Sequence, residues 1–233
     1  MDKKAAAQNR KKQIIETALK LFAEKGYEDT SVDCIIKASG ISKGGFYHHF
    51  SSKEVLLEDI AQMFISDVMR IANTIDQQDN LSALDKLNAF FFEVNQLKKE
   101  RPVQMLSFIK ELYDGEKNIR LERIVFQHSQ RMLLPFIKRI IKQGRSEGIF
   151  KVDYPEEAAE FSVKLIIIHQ HDMGALFASA LTNPEPDRFD SILRRYSFLQ
   201  DTLENMLGLN QGDLEIYNIA KDVLDYLERH FTA

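Results

Sequence analysis

The sequence is poor in residues that interrupt helices and in residues that form covalent cross-links. It has five prolines and ten glycines in 233 residues, no tryptophan, and a single cysteine, Cys34. So little proline and glycine favours long helices over a β architecture with many turns. One cysteine excludes a disulfide within the chain and suits a reducing cytoplasm.

Long apolar runs are also missing. The most hydrophobic run, Leu165 to Ile168, is far too short to cross a bilayer. The first residues, MDKKAAAQNRKK, carry charge but are not followed by the apolar stretch of a secretory signal. These absences predict a cytoplasmic protein that does not contact a membrane.

Charge is distributed unevenly along the chain. The net charge is −4, which argues against a protein that binds polyanions over its whole surface. Residues 1–53, however, contain ten Lys and Arg against six Asp and Glu, whereas the remaining residues contain 21 against 29. A basic N-terminal part therefore precedes an acidic remainder, and nucleic-acid binding is expected only of the former.

Apolar residues recur at three- and four-residue spacing almost throughout, which predicts an all-α protein of about nine or ten helices. The first helix is predicted over 8–25, the second and third on either side of Gly40, and the fourth over about 53–75. Later helices are predicted at 81–100, 102–113, 117–147, 155–181, 188–207 and 213–231, where glycines, prolines and polar stretches separate them.

The stretch from Gly40 to Leu56, GISKGGFYHHFSSKEVL, has the composition of a DNA-contacting helix. Phe46 and Phe50 are four residues apart and are expected to face inward, while Lys43 and Tyr47 share another face. Glycines allow a backbone to come close to DNA, and lysine, tyrosine and histidine supply hydrogen-bond donors. Thr30 is expected to cap the start of the second helix, because an acidic residue, Asp33, follows three positions later.

The longer segment LKLFAEKGYEDTSVDCIIKASGISKGGFYHHFSSKEVL resembles the TetR family of bacterial transcription regulators, and the resemblance spans about residues 11–57. It implies a DNA-binding domain at 1–53 with a helix-turn-helix, and an effector-binding and dimerisation domain at 54–233. It also implies that Lys43, Gly44 and Gly45 approach base edges, and that phosphates are held by Thr30, Ser42, Tyr47, His48, His49 and Lys53. The basic N-terminal segment, Lys3 to Lys12, is either a solvated tail or an arm for the minor groove.

Such regulators dimerise, because one helix-turn-helix reads too few base pairs. The resemblance places the dimer interface on the helices near 155–181 and 188–207. Small residues such as Ala158 and Ala159 would allow close helix approach there, or they reflect helix propensity alone. Helix four, shared by both domains, is the expected lever through which an effector changes the spacing of the two DNA-binding domains.

The effector pocket is expected in the larger domain, where aromatic and Met side chains can line an adaptable apolar cavity and His can supply polar anchors. The candidates are Phe91, Phe92, Met105, Phe108, Leu112, His128, Met132, Phe136, His169, Met173 and Phe177. Any one of them is more often plain core.

We expect a repressor that a small apolar or amphipathic effector releases from a palindromic operator. The alternative is a DNA-binding architectural or division-linked protein without small-molecule control. An all-helical enzyme is the weaker alternative, because the sequence has neither a phosphate-binding glycine loop nor a nucleophile elbow. No cofactor or metal is expected, since His169 and His171 point to different sides of one helix.

Overall fold

The computed structural model describes residues 3–100, 119–182 and 186–231, and the secondary structure of these residues is entirely helical. The helices are α1 (Lys3–Lys25), α2 (Val32–Ser39), α3 (Lys43–His49), α4 (Lys53–Asp76), α5 (Ala83–Glu100), α6 (Ile119–Ser146), α7 (Pro155–Thr182), α8 (Pro186–Leu207) and α9 (Ile216–Phe231). The all-α prediction is confirmed. The helix predicted at 102–113 lies outside the described residues.

The described residues form two compact units. The first contains the chain up to Ile65 together with the part of α6 that ends at His128, and the second contains residues from Ser66 and from Ser129 onward. Helices α4 and α6 therefore each contribute to both units. The functional division of the chain at residue 53 stays a prediction.

The first unit is a small helical domain built around buried aromatic and aliphatic side chains. Helix α1 presents Ile14, Ala18 and Phe22 to this core at four-residue spacing. Phe46 and Phe50 of the α3 segment are both fully buried, as the sequence predicted. Gly40 ends α2 with φ of 68°, a left-handed conformation that glycine adopts without steric cost.

The start of α2 differs from the predicted one. The N-cap of α2 is Ser31, whose hydroxyl accepts a hydrogen bond from the Cys34 amide, and the prediction of Thr30 was wrong. Thr30 is fully buried, and its hydroxyl donates to the Gly26 carbonyl at 2.8 Å. The Thr30 side chain therefore bonds back to the end of α1, and its spacing from Asp33 does not mark a cap of α2.

The second unit has one continuous apolar core formed by α5 to α9 and the C-terminal part of α4. Helix α9 packs on α5 and α8, and α7 packs on α8. The buried Glu204 carboxylate accepts hydrogen bonds from the Gly212 and Leu214 amides, both at 2.9 Å, and so organises the α8–α9 connection. Within the described ranges, no helix is long and apolar enough to cross a membrane.

Candidate nucleic-acid interface

Helix α3 carries the residues that the sequence predicts for DNA contact, and its two sides differ sharply. Phe46 has no exposed surface, whereas Lys43, Gly44 and His48 are exposed and the Tyr47 side chain is 47% exposed. The buried side anchors a helix of only seven residues to the core, and the opposite side presents hydrogen-bond donors to solvent.

The N-terminus of α3 is defined by Ser42. Its hydroxyl accepts a hydrogen bond from the Gly45 amide at 3.1 Å, in the usual geometry of an N-cap. Gly45 has little room for a side chain, because a Cβ there would lie 2.8 Å from Ile41 Cγ2. A Cβ on Gly44 would meet no atom within 4 Å. Gly45 is therefore required by packing within the domain, whereas Gly44 is not.

Two histidines follow Tyr47 at the end of α3. The His48 and His49 rings lie edge to face with their centroids 5.1 Å apart, and His49 is less exposed than His48. Burial lowers the pKa of His49, and the neighbouring positive charges of His48, Lys11 and Arg10 lower it further. The neutral imidazole, which keeps one N–H donor, is thus favoured at neutral pH.

This depressed pKa predicts a pH dependence of DNA binding. A phosphate beside His49 would raise its pKa, so binding would take up a proton and affinity should rise as pH falls from about 8 to about 6. Titration of a labelled DNA duplex at several pH values measures the slope, and His49→Gln should flatten it.

The folding stability of the protein should depend on pH in the opposite direction. Because the pKa of His49 is lower in the folded protein than in the unfolded chain, the unfolded chain takes up the proton first. Stability is therefore lost as pH falls below about 6.5 toward the lowered pKa of His49.

Lys53, predicted to contact phosphate, has partners within the domain. Its ammonium donates to the Tyr27 carbonyl at 2.7 Å and lies 4.1 Å from the centroid of the Tyr27 ring. Lys53 is the first residue of α4, where a positive charge is unfavourable for the helix dipole. The Tyr27 carbonyl, in the turn after α1, compensates this unfavourable charge. Lys53 therefore holds the start of α4 against that turn.

Lys53→Met should therefore destabilise the domain, because it removes the hydrogen bond and the cation–π contact while keeping the aliphatic stem. We expect a loss of about 1 kcal/mol in the free energy of unfolding, measured by chemical denaturation. Lys20→Met is the matched control, since Lys20 forms an exposed ion pair with Glu24, the loss of which should change stability by less than about 0.5 kcal/mol. Equal stability of the two variants would contradict the structural role of Lys53.

The predicted N-terminal arm is part of a helix. Helix α1 begins at Lys3, and its Lys11 forms an ion pair with Asp59 at 2.5 Å and lies above the Phe50 ring. Arg10 and Lys12 are exposed on the same helix. From Lys3 onward, the basic segment is thus not an extended tail.

Comparison with known proteins agrees with this geometry. Residues 14–60 match the family model described as bacterial regulatory proteins, tetR family. The uncharacterised HTH-type transcriptional regulator YhgD of Bacillus subtilis is 27% identical over 159 residues, which cover 68% of this chain and 81% of YhgD. The HTH-type transcriptional repressor DhaR of Mycobacterium sp. strain GP1 is 26% identical over 151 residues, 64% of this chain and 75% of DhaR.

A solved structure of a tetR-family regulatory protein from Rhodococcus RHA1 superimposes with a TM-score of 0.57 at 19% identity, covering 91% of this chain and all of that one. Residues 14–60 therefore carry a DNA-binding domain of the TetR family. The family consists of dimeric, DNA-binding transcription regulators and not of enzymes. The helix-turn-helix of this domain is formed by α2 and α3.

The helices predicted to form the dimer interface carry an exposed apolar stripe. Tyr154, which immediately precedes α7, and Phe161 and Ile168 of α7 follow one another at seven-residue spacing and are 72%, 62% and 49% exposed. Phe198 on α8 is 67% exposed. Ala158 and Ala159 are buried in the core of their own unit, so they are not available for close approach to a second chain.

The candidate effector residues lie in several different environments. Phe91, Phe136 and Met173 are buried in the apolar core of the second unit, as is the His169 side chain, which packs edge to face on Tyr196 at 4.5 Å. Met132 is partly buried, whereas Phe92 is 46% exposed.

His128 belongs to the first unit, where its Nε2 lies in hydrogen-bond contact with Gln62 Oε1. Met105, Phe108 and Leu112 lie outside the described residues, as does the side chain of Phe177. An open groove on the second unit is lined by none of these candidates. Its lining residues are Asp190, Leu193, Arg194, Ser197 and Tyr217.

Proposed function

We propose that this TetR-family protein is a cytoplasmic, sequence-specific repressor that binds a palindromic operator as a homodimer and leaves it when a small apolar or amphipathic effector binds. The observation that carries the proposal is the two-sided α3, which is anchored by buried Phe46 and exposes Lys43, Gly44, Tyr47 and His48. The relative DhaR, whose name describes a repressor, supports the direction of control.

In the proposed complex, α3 enters the major groove. Lys43 donates to guanine O6 and N7, and Gly44 allows its backbone to lie close to the bases. Ser42, Tyr47, His48 and His49 hold the flanking phosphates. The Lys53 ammonium holds a phosphate with its third donor, because two are directed at the Tyr27 and Glu28 carbonyls. Thr30 contributes by supporting the turn after α1, because its hydroxyl and its amide already donate to the Gly26 and Tyr27 carbonyls.

The homodimer is proposed to form through the exposed stripe of Tyr154, just before α7, and Phe161 and Ile168 on α7, with Phe198 of α8. Four large, mostly apolar side chains exposed on or beside two neighbouring helices are typical of a protein–protein interface. Two-fold symmetry makes such an interface self-complementary and pairs two helix-turn-helix elements on half-sites about one turn of DNA apart.

Control by an effector is proposed to act through α4, whose C-terminal end is tied to α6 within the second unit. Arg139 Nε lies 2.7 Å from Asp76 Oδ2, and Gln143 Nε2 donates to the Leu81 carbonyl at 2.9 Å. Glu147 accepts a hydrogen bond from the Ala83 amide at 2.9 Å. An effector that shifts α6 would therefore also move the end of α4.

Core composition supports an apolar or amphipathic effector. Phe91, Phe136 and Met173 supply the apolar surface, and Met adapts readily to different shapes. Ser162 is 3% exposed, and its hydroxyl makes no hydrogen bond within the described residues. A buried hydroxyl of this kind can satisfy a polar group of a bound molecule.

The test is selection of DNA fragments from a genomic or random pool by the purified protein at a stated salt concentration, followed by sequencing. We expect enrichment of an inverted repeat, which is then the probe for compounds that release the protein. Failure of a folded, dimeric protein to enrich any motif would contradict sequence-specific recognition and favour the architectural alternative. If the protein enriches a site but no compound releases the protein from it, only the proposed control by an effector would be contradicted.

A further inference from the structure

An acidic side chain lies beside the proposed base-reading lysine. Asp33 is in the first turn of α2, and its Oδ1 is 3.8 Å from Nζ of Lys43, the first residue of α3. The two side chains are 80% and 70% exposed. They therefore share the solvent-facing surface of the helix-turn-helix, where the proposed function places the DNA.

Folding stability does not explain this ion pair well. Exposed ion pairs contribute little to stability, because water and salt screen them and two long side chains must be ordered. A carboxylate on a DNA-binding surface also has a cost, since it repels phosphates and reduces affinity for every sequence. A residue that weakens all binding can still improve discrimination, provided that it weakens binding to the wrong sequences more.

The Asp33–Lys43 ion pair should weaken binding to non-operator DNA more than binding to the operator. An ammonium group has three donors, so Lys43 can contact a guanine while it remains paired with Asp33. On non-operator DNA, where no guanine is suitably placed, Lys43 can gain a contact only by turning to a phosphate. That movement would leave the Asp33 carboxylate without its cation, close to the polyanionic backbone.

On the basis of the proposed function, we propose that Asp33 is a specificity-determining residue that positions Lys43 for base contact and penalises its use as a phosphate contact. Asp33 touches no base in this arrangement and acts through Lys43. Its removal should strengthen binding to non-operator DNA more than binding to the operator. Specificity, rather than operator affinity, is the quantity that should change.

The test compares affinities of full-length variants for two duplexes, the selected operator and a scrambled duplex of the same length and base composition, at several salt concentrations. Asp33→Asn should reduce the ratio of the two affinities by about fivefold, mainly through tighter binding to the scrambled duplex. Asp33→Glu keeps the charge and should retain most of the wild-type ratio.

Two further variants separate positioning from a general charge effect. Glu24→Gln removes one carboxylate from an exposed ion pair with Lys20 on α1 and should leave the ratio unchanged. In a Lys43→Ala background, Asp33→Asn should no longer change the ratio. An Asp33→Asn effect that equals the Glu24→Gln effect, or that persists without Lys43, would overturn the inference.

Failure of this inference is distinguishable from failure of the proposed function. A wild-type protein that binds selected and scrambled duplexes equally would refute sequence-specific recognition itself. A wild-type protein that discriminates while Asp33→Asn discriminates equally well would refute only the role of Asp33. Thermal unfolding of each variant identifies any loss of folding, which is not expected at a side chain that is 80% exposed.

Discussion

Phe161→Asp should convert the protein from a dimer to a monomer and reduce operator affinity by about 100-fold. The side chain is 62% exposed on α7, so the change should leave the subunit folded. In the proposed dimer, each of two symmetric positions would lose an apolar anchor, at about 2 kcal/mol per copy, and would gain a charge without a partner. A monomer would hold only one half-site at a time.

Sedimentation equilibrium gives the oligomeric state, and titration of the selected operator gives the affinity. Phe92→Asp on α5 is the matched control, since Phe92 is another large apolar residue, is 46% exposed, and lies outside the stripe of α7 and α8. This variant should stay dimeric and bind DNA normally when no effector is present. A Phe161→Asp protein that remains a dimer would place the interface elsewhere.

Gly44→Ala should separate folding from DNA binding. A methyl group at this position meets no other atom within 4 Å, and alanine has the higher helix propensity, so the domain should gain up to about 0.5–1 kcal/mol in stability. Operator affinity should nevertheless fall by about tenfold or more, because the methyl group would keep the α3 backbone away from the bases and cost a base contact.

Gly45→Ala provides the contrast. Its methyl group would lie 2.8 Å from Ile41 Cγ2 and 3.1 Å from Ser42 Oγ, so it should destabilise the domain by disturbing the N-cap of α3. Denaturation curves and operator titrations of both variants distinguish the two cases. Normal operator affinity of a stable Gly44→Ala protein would show that the backbone at Gly44 does not approach the DNA.

Most of the fold could be read from local sequence patterns. The apolar periodicity of α1 and the position of Gly40 are properties of short segments. The described helices lie close to their predicted bounds, except that α1 begins at Lys3 and not at residue 8. The burial of Phe46 and Phe50 was predictable for the same reason, because a seven-residue helix has only one side that can face a core. The cap of α2 was wrongly assigned to Thr30 because two adjacent hydroxyl residues both resemble a cap, and only the hydrogen bond identifies Ser31.

The sequence by itself determined the all-helical architecture and the match of its N-terminal segment to the TetR family, since each depends on spacing along short segments. It also predicts which residues of α3 contact DNA. Tertiary structure alone decided which of those residues already have partners. Lys53 and Tyr27 are 26 residues apart along the chain, and Asp33 and Lys43 lie on different helices. Likewise, Ala158 and Phe161 are on one helix, and packing alone decides that the alanine is buried in the core while the phenylalanine is exposed.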